Sequence, residues 1–121
     1  MSNKKTVVIG ASVNPERYSN MAVRRLKQHG HEVVALGLRE GDIEGVKIHT
    51  DKPAVENVDT VTMYVDPQNQ PPLYDYILSL KPKRIIFNPG AENEEMEKRA
   101  AEKGIEVLEA CTLVMLSIGD Y

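Results

Sequence analysis

A turn suited to binding phosphate is the first chemical feature of the sequence. The apolar run Thr6–Ile9 ends at Gly10-Ala11-Ser12, and a polar loop and a helical pattern follow. In a turn between a strand and a helix, backbone N–H groups face outward, and the start of the helix adds unpaired donors and a positive dipole end. The hydroxyl of Ser12 is a further donor, and Arg17 and Ser19 can reach the same phosphate. This pattern predicts a ligand that carries phosphate.

The same turn lacks most of the dinucleotide-binding fingerprint, Gly-x-Gly-x-x-Gly with an acidic residue about 20 residues later. Gly10 is followed by Ala-Ser-Val-Asn-Pro, and no carboxylate stands directly at the end of the second β-rich run. Arg39 follows that run, and its planar guanidinium suits an extra phosphate on a ribose. NADP carries such a phosphate on the 2′ oxygen and CoA carries one on the 3′ oxygen, so these residues leave both ligands open.

Cys111 is the single thiol of the chain and the candidate nucleophile. It is predicted at the start of the last helix, where the helix dipole favours a thiolate that could attack an acyl thioester or form a mixed disulfide with CoA. A nucleophile usually needs a base, and His49 is the one histidine that the pattern places near the same edge. The other interpretation is a small buried cysteine with a packing role. We therefore assign no catalytic residue, and we predict no metal site because His49 and Asp51 lack further ligands at metal-binding spacing.

Short β-rich runs alternate with helical stretches along the chain. Strands are predicted over residues 6–9, 32–36, 46–49, 60–65, 84–87 and 105–108. Helices are predicted over residues 21–29, 71–80, 92–103 and 111–118, with a helical turn at 53–56 and a loop at 37–42. The strands are nearly continuous apolar runs, which is typical of parallel strands covered on both faces. We therefore expect an α/β fold with a doubly wound, mainly parallel sheet of five to six strands and helices on both faces.

In such a sheet the ligand crevice lies at the carboxyl ends of the strands, where the strand order reverses. The turns that follow the predicted strands should therefore meet at one edge. Besides the first turn, they contain Leu38, Arg39, Tyr64, Val65, Asn88, Pro89, Gly90 and the segment Glu109-Ala110-Cys111. We expect these residues to surround the ligand.

Composition limits the classes of function that the chain can have. Its 121 residues suit one domain, residues 1–121. A net charge of -3 and the absence of Trp argue against nucleic-acid or acidic-membrane binding. The single cysteine excludes an internal disulfide and fits a reducing compartment. Because the sequence shows no signal peptide and no membrane-spanning run, we expect a cytoplasmic protein.

Two motifs resemble those of the small stand-alone CoA-binding-domain proteins, which are similar to the CoA-binding part of the succinyl-CoA synthetase alpha subunit. The first is Gly10-Ala11-Ser12 followed by Asn14-Pro15-x-Arg17 and Ser19, and the second is Asn88-Pro89-Gly90-Ala91-Glu92-Asn93-Glu94-Glu95. Glu109-Ala110-Cys111 stands where the family often has Asp-Arg-Cys, and Gly37-Leu38 where it commonly has Asn-Pro. The resemblance spans essentially the whole chain.

The resemblance implies a Rossmann-like module that binds CoA or acyl-CoA without catalysis, as a sensor or as a subunit of something larger. It implies the pyrophosphate at Ala11, Ser12, Arg17 and Ser19, the adenosine half near residues 36–39, and further contacts near Tyr64, Val65 and residues 88–90. The alternatives are a small NADP-linked or Cys-dependent enzyme and a domain that has lost its ligand. A homodimer or a partner subunit stays open.

Overall fold

Apolar runs form the strands of a single sheet in the computed structural model, which describes residues 3–121. The seven strands are β1 (Thr6–Ile9), β2 (Val33–Leu36), β3 (Gly41–Ile43), β4 (Val46–His49), β5 (Thr60–Met63), β6 (Arg84–Phe87) and β7 (Glu106–Glu109). The α-helices are α1 (Tyr18–Gln28), α2 (Tyr74–Ser79), α3 (Glu94–Glu102) and α4 (Thr112–Ser117), and two 3-10 turns, Pro67–Asn69 and Pro71–Leu73, precede α2. Among the described residues, none of these helices has the length and apolar content needed to cross a bilayer.

The strand order is β3-β4-β2-β1-β5-β6-β7. β3 is antiparallel to β4, and every other neighbouring pair is parallel. The chain extends the sheet from β1 through β2 and β4, then crosses back over β1 to build β5, β6 and β7. The order therefore reverses between β1 and β5, where sheets of this type bind their ligands. The predicted doubly wound, mainly parallel α/β sheet is confirmed, with seven strands in place of five to six.

Two apolar cores cover the two faces of the sheet. On one face, alternate residues of the central strands pack against α2 and α3, and the fully buried side chains include Val7, Val61 and Phe87. On the other face, Val8 and Ala35 pack against α1 and α4. Burial on both faces explains why the strands contain so few polar residues. The carboxyl ends of β1, β2 and β5 lie at the same level in the sheet, because Ile9 is paired with both Leu36 and Met63.

The segment predicted as a loop at residues 37–42 contains the start of a β-hairpin. β3 pairs with β4 through a tight turn in which Glu44 and Gly45 both have positive φ angles, 49° and 87°. The Asp42 carboxylate accepts a hydrogen bond from the Gly45 N–H at 2.8 Å. Two residues with positive φ are what a two-residue hairpin requires. The sequence prediction was wrong here because β3 is short and includes a glycine and an aspartate, both unfavourable in strands.

The helical turn predicted at residues 53–56 is also wrong, since this segment has no regular structure. Asn57 has a φ of 58°, a left-handed conformation that would end a helix. Val58 is instead part of the apolar core, and Val55 packs against it. In addition, α1 begins earlier than predicted, at Tyr18, while α3 begins later because Asn93 caps it by accepting a hydrogen bond from the Met96 N–H at 3.2 Å.

A polar cluster around Tyr121 fills the α4 side of the sheet near the amino ends of the strands. The Tyr121 hydroxyl lies 2.5 Å from the Thr6 hydroxyl, and the Arg84 guanidinium lies 4.5 Å from the centre of the Tyr121 ring. The His31 ring is tilted against the same tyrosine, with 5.0 Å between the ring centres. The Lys4 N–H donates to Nδ1 of His31 at 2.9 Å. The histidine must therefore be neutral to keep this acceptor.

Protonation of His31 is expected to destabilise the protein. Burial and then the nearby positive charges of His29, Lys4 and Arg84 lower the pKa of His31 from 6.5, and Asp59 acts in the opposite direction. Because the unfolded chain binds this proton more readily, the free energy of unfolding should fall as the pH drops through 6.5 toward the lowered pKa. Urea unfolding at a series of pH values from about 7.5 to about 5 measures the slope.

The matched variant for this measurement is His31→Asn, which keeps an acceptor near the Lys4 N–H but cannot titrate. We expect it to have a flatter dependence of unfolding free energy on pH across this range. An identical slope in the variant would show that other groups carry the pH dependence.

Candidate functional site

The turns that follow the parallel strands lie side by side along the carboxyl edge of the sheet. Main-chain hydrogen bonds continue the ladders past the strand ends and hold these turns in line. They run from Gly10 and Ala11 to Leu36, from Gly37 to His49, from Tyr64 to Ile9, from Asn88 to Met63 and from Ala110 to Phe87, with N···O distances of 2.8–3.3 Å. The fold thus brings together the turns that the sequence predicted at one edge.

Two glycines let these turns approach one another closely. Gly10 has a φ of 98°, and a Cβ atom there would lie 3.1 Å from the main-chain carbon of Tyr64. A Cβ atom on Gly37 would lie only 2.3 Å from the carbonyl oxygen of Ala11. Real Cβ atoms do not come as close as 2.3 Å to a carbonyl oxygen, so Gly37 excludes a side chain unless the backbone moves. At Gly10 the contact is tight and the positive φ angle disfavours any side chain. The exits of β1, β2 and β5 are therefore in direct backbone contact.

The start of α1 is open beside the first turn. Arg17 is its N-cap in an extended conformation, without a side-chain cap and without an acidic residue in the first helical turn. Within residues 3–121, no acceptor binds the N–H groups of Ser12, Val13, Tyr18 and Ser19. These unpaired donors and the positive end of the helix dipole favour an anion at this position.

The other three helices also follow strands of this edge. α2 continues from the 3-10 turn Pro71–Leu73 and has Asp75 in its first turn, while α3 and α4 have side-chain partners at their starts. α3 is capped by Asn93 and carries Glu94, Glu95 and Glu97 in its first turn. The first N–H of α4, from Thr112, donates to Oδ1 of Asn88 at 2.9 Å. At each of these helix N-termini, negative side chains or a hydrogen-bond acceptor already interact with the free N–H groups. Of the four α-helices, α1 therefore has the N-terminus best suited to an anion.

The loop between the first turn and α1 is held by its own hydrogen bonds. Oγ of Ser12 accepts from the Asn14 N–H at 3.1 Å, and Oδ1 of Asn14 accepts from the Glu16 N–H at 3.0 Å. Because the Ser12 hydroxyl is an acceptor in this contact, its proton is free to face a ligand. Arg17 is exposed at the helix start, whereas the Ser19 side chain is buried.

Asn88 connects three elements beneath the edge and is only 1% exposed. Its Nδ2 donates to the Thr62 hydroxyl at 2.7 Å and to the Met63 carbonyl at 3.0 Å, and its Oδ1 accepts from Thr112. The hydroxyls of Thr62 and Thr112 share a further hydrogen bond of 2.8 Å. The amide side chain is therefore used inside the protein, and the exposed part of this turn consists of Pro89 and Gly90.

Tyr64 lies above this network with its ring half-buried. Burial, and then the neighbouring Cys111, raises the pKa of Tyr64 well above its usual value of 10.0. The phenol is therefore neutral near pH 7. Its hydroxyl is buried and has no hydrogen-bond partner among residues 3–121.

Sequence reasoning missed Gln70, a fully buried residue at 0% exposure. Its Nε2 donates to the carbonyls of Val65 and Ala91, both at 2.8 Å, and its Oε1 accepts from Asn93 at 3.0 Å. The side chain thus ties the turn after β5 to the turn after β6. No local pattern marks this glutamine, because its partners lie up to 23 residues away.

Residues 4–117 of the chain match the sequence model of the CoA binding domain. The protein belongs to the CoA-binding domain family. A solved structure of an uncharacterized protein is 52% identical, with a TM-score of 0.97 and 100% of both chains covered. This agrees with the resemblance drawn from the sequence. No curated protein matches the chain.

Two further solved structures share the fold of this CoA-binding domain. A hypothetical protein from Pyrococcus horikoshii OT3 is 23% identical, with a TM-score of 0.86, covering 96% of this chain and 83% of that one. The dinucleotide forming acetyl-coenzyme A synthetase 1 of Ca. Korarchaeum cryptofilum, solved with phosphate and ADP, is 22% identical, with a TM-score of 0.71. That match covers 89% of this chain and 26% of the synthetase.

In this CoA-binding domain, Cys111 and His49 lie far apart. Cys111 is the half-buried N-cap of α4, directly after β7, as predicted. His49 ends β4, and four strands separate β4 from β7, which at the usual strand spacing is about 24 Å. His49 therefore cannot serve as a base for Cys111, and its Nδ1 instead lies 3.7 Å from an Asp51 carboxylate oxygen. In the described part of the chain, no three His, Cys, Asp or Glu residues are grouped closely enough to hold a metal.

The residues after β2 in this CoA-binding domain are a glycine and two exposed side chains. Gly37 has no room for a side chain against Ala11, which gives a steric reason for glycine at this position. Leu38 is 99% exposed, and Arg39 is also exposed. Both side chains are thus free to contact a ligand at the edge.

Proposed function

We propose that this domain binds CoA or acyl-CoA as a non-catalytic module, with the pyrophosphate at the first β–α turn. The observation that carries the proposal is the open start of α1 beside Gly10-Ala11-Ser12, in a chain that belongs to the CoA-binding domain family. The turn lies at the reversal of strand order, next to β5, which is the usual ligand position in such sheets.

Hydrogen-bond donors for the pyrophosphate converge from the turn and the helix start. The unpaired N–H groups of Ser12, Val13, Tyr18 and Ser19 and the Ser12 hydroxyl are uncharged donors. Arg17 adds a positive charge at the surface. Gly10 and Ala11 present no large side chain, so a ligand can approach the backbone closely. An anion bound here gains charge-assisted hydrogen bonds without burying an unpaired charge.

The adenosine half is assigned to the turn after β2. Leu38 offers an apolar surface on which the adenine ring can pack, and its full exposure leaves that surface open. Arg39 follows at the tip of the turn, where its guanidinium can pair with the 3′-phosphate of CoA. The N–H of Gly37 is already bonded to the His49 carbonyl at 2.9 Å, so the turn is held in place.

The pantetheine half would extend across the turns after β5 and β6. Tyr64 and Val65 form one side, while Asn88, Pro89 and Gly90 form the other. Because the Asn88 side chain is used internally, its contact with ligand would come from the main chain. Support for a binding role without catalysis comes from Cys111, which lies about 24 Å from His49 across the sheet.

Isothermal titration with CoA, dephospho-CoA and NADP tests the proposal. We expect CoA to bind most tightly, dephospho-CoA to bind more weakly because it lacks the 3′-phosphate, and NADP to bind weakest. Tighter binding of NADP than of CoA would instead support a reductase-like function. Absence of heat with all three ligands would contradict a ligand-binding role.

Replacing Arg39 by glutamine should weaken CoA binding about 10-fold while leaving the affinity for dephospho-CoA nearly unchanged, because one charge-assisted contact is lost. The control is Arg25→Gln, which removes the same charge from the exposed side of α1. An equal rise in the Kd for CoA in both variants would mean that Arg39 acts only through the overall charge of the protein.

A further inference from the structure

Asn20 and Arg24 lie one turn apart on α1 and hold the loop at residues 12–17. Asn20 is a polar side chain only 4% exposed, and its Nδ2 donates to the Ser12 carbonyl at 2.8 Å. Its Oδ1 accepts from Nε of Arg24 at 2.8 Å, and the Arg24 guanidinium also donates to the Pro15 carbonyl at 3.2 Å. Two carbonyls of the loop are therefore bound to the helix.

Arg24 determines which way the Asn20 amide faces. A guanidinium has only donors, so it must meet the oxygen of the amide, and the NH₂ group of Asn20 then faces the Ser12 carbonyl. Asn20 and Arg24 are four residues apart, so their side chains lie on the same face of α1. Arg24 therefore links Asn20 to the exposed residue Pro15 of the loop.

The Asn20 contact has a consequence for the next N–H group in the chain. In a trans peptide, the C=O and N–H bonds point in opposite directions, and no cis peptide bond occurs among the described residues. Because the Ser12 carbonyl points toward Asn20, the N–H of Val13 points away from it. That N–H has no acceptor within residues 3–121.

We propose that Asn20, oriented by Arg24, is the positioning residue that turns the Val13 N–H toward the pyrophosphate of CoA. The inference rests on the proposed function, and it gives a reason for burying the Asn20 amide on the helix face that also includes the apolar Val23 and Leu26. Without the Asn20 amide, the Ser12–Val13 peptide could rotate and place its carbonyl oxygen toward the anion.

The test is Asn20→Asp, which has nearly the same shape but replaces the NH₂ donor with a second carboxylate oxygen. This oxygen repels the Ser12 carbonyl, so the peptide should rotate. We expect the Kd for CoA to rise roughly 10- to 100-fold, the range for losing a hydrogen bond to a charged group. Asn57→Asp makes the same charge change at an exposed site before β5, near the opposite edge of the sheet, and should leave the Kd unchanged.

A second variant and an NMR readout separate positioning from a loss of folded protein. Arg24→Lys keeps the positive charge but removes the fork that reaches both Asn20 and Pro15, and we expect a 5- to 10-fold rise in Kd, about 1 kcal/mol. In wild-type protein, CoA should shift the Val13 amide resonance downfield, and this shift should be lost in Asn20→Asp even at saturating CoA.

The outcomes distinguish this inference from the proposed function. If wild-type protein fails to bind CoA, the proposed function is wrong and the inference falls with it. If wild-type protein binds CoA while Asn20→Asp and Arg24→Lys bind equally well, only the role of Asn20 is wrong. An unchanged downfield shift of Val13 in Asn20→Asp would contradict the inference in the same way.

Discussion

Replacing Gly37 by alanine is expected to lower the free energy of unfolding by about 3 kcal/mol, the upper part of the range for overpacking. The new Cβ atom would lie 2.3 Å from the Ala11 carbonyl oxygen and 3.0 Å from Cγ2 of Ile48. A carbonyl in the main chain cannot rotate away as a side chain can, so the first turn must shift. We expect the Kd for CoA to rise at least about 10-fold, since a displacement of about 1 Å misaligns several N–H donors.

Gly41 provides a matched control because a Cβ atom there would also meet an atom at 2.3 Å. That atom is Cγ1 of Val13, the end of a side chain that is 56% exposed and can change rotamer. We therefore expect Gly41→Ala to cost less than about 1 kcal/mol. Urea unfolding of both variants measures the difference. An equal decrease in the free energy of unfolding in both variants would show that the backbone contact between the turns after β1 and β2 is not rigid.

Replacing Asn88 by alanine should lower the free energy of unfolding by about 3 kcal/mol, because a buried N–H and two buried oxygens lose a partner. The N–H of Thr112 and the hydroxyl of Thr62 would remain in an interior site that water reaches poorly. The loss should appear as a lower urea midpoint with an unchanged m value. The role of the Asn88 side chain is thus to support the turns around it.

The control for Asn88 is Asn69→Ala, which removes an exposed amide from a 3-10 turn and should change stability by less than about 0.5 kcal/mol. A different result would revise the role of Asn88. If Asn88→Ala is as stable as the control but binds CoA more weakly, the side chain contacts the ligand directly.

Much of the fold could be predicted from short-range patterns. β1, β4 and β6 have the predicted bounds, because apolar runs that are bounded by turn residues are strong signals of buried strands. β3 and the segment at residues 53–56 could not be predicted. Their conformations depend on the hairpin turn at Glu44 and on the packing of Val55 and Val58 against the core.

The residues of the candidate site also fall into those that the sequence predicts and those that it does not. The turn at Gly10-Ala11-Ser12 and the turn after β6 were found from residue type and spacing. Gln70 and Asn20 were not predicted, since neither contact belongs to a local motif. Gln70 donates to the Ala91 carbonyl 21 residues away, and Asn20 donates to the Ser12 carbonyl of the preceding turn. The sequence pattern predicts His49 near the same edge as Cys111, whereas the strand order places four strands between them.

The α/β class, the turn at the end of β1 and the likeness to the CoA-binding domain family can all be recognised without the coordinates. Local hydrophobic periodicity is sufficient for the fold class, and the resemblance of two motifs to known CoA-binding domains indicates the family that the match over residues 4–117 shows. The contacts between the turns, the open start of α1 and the internal hydrogen bonds of the Asn88 and Gln70 amides follow from the three-dimensional arrangement of the chain. These properties depend on strand order and on hydrogen bonds between residues far apart in the chain, as between Asn88 and Thr112.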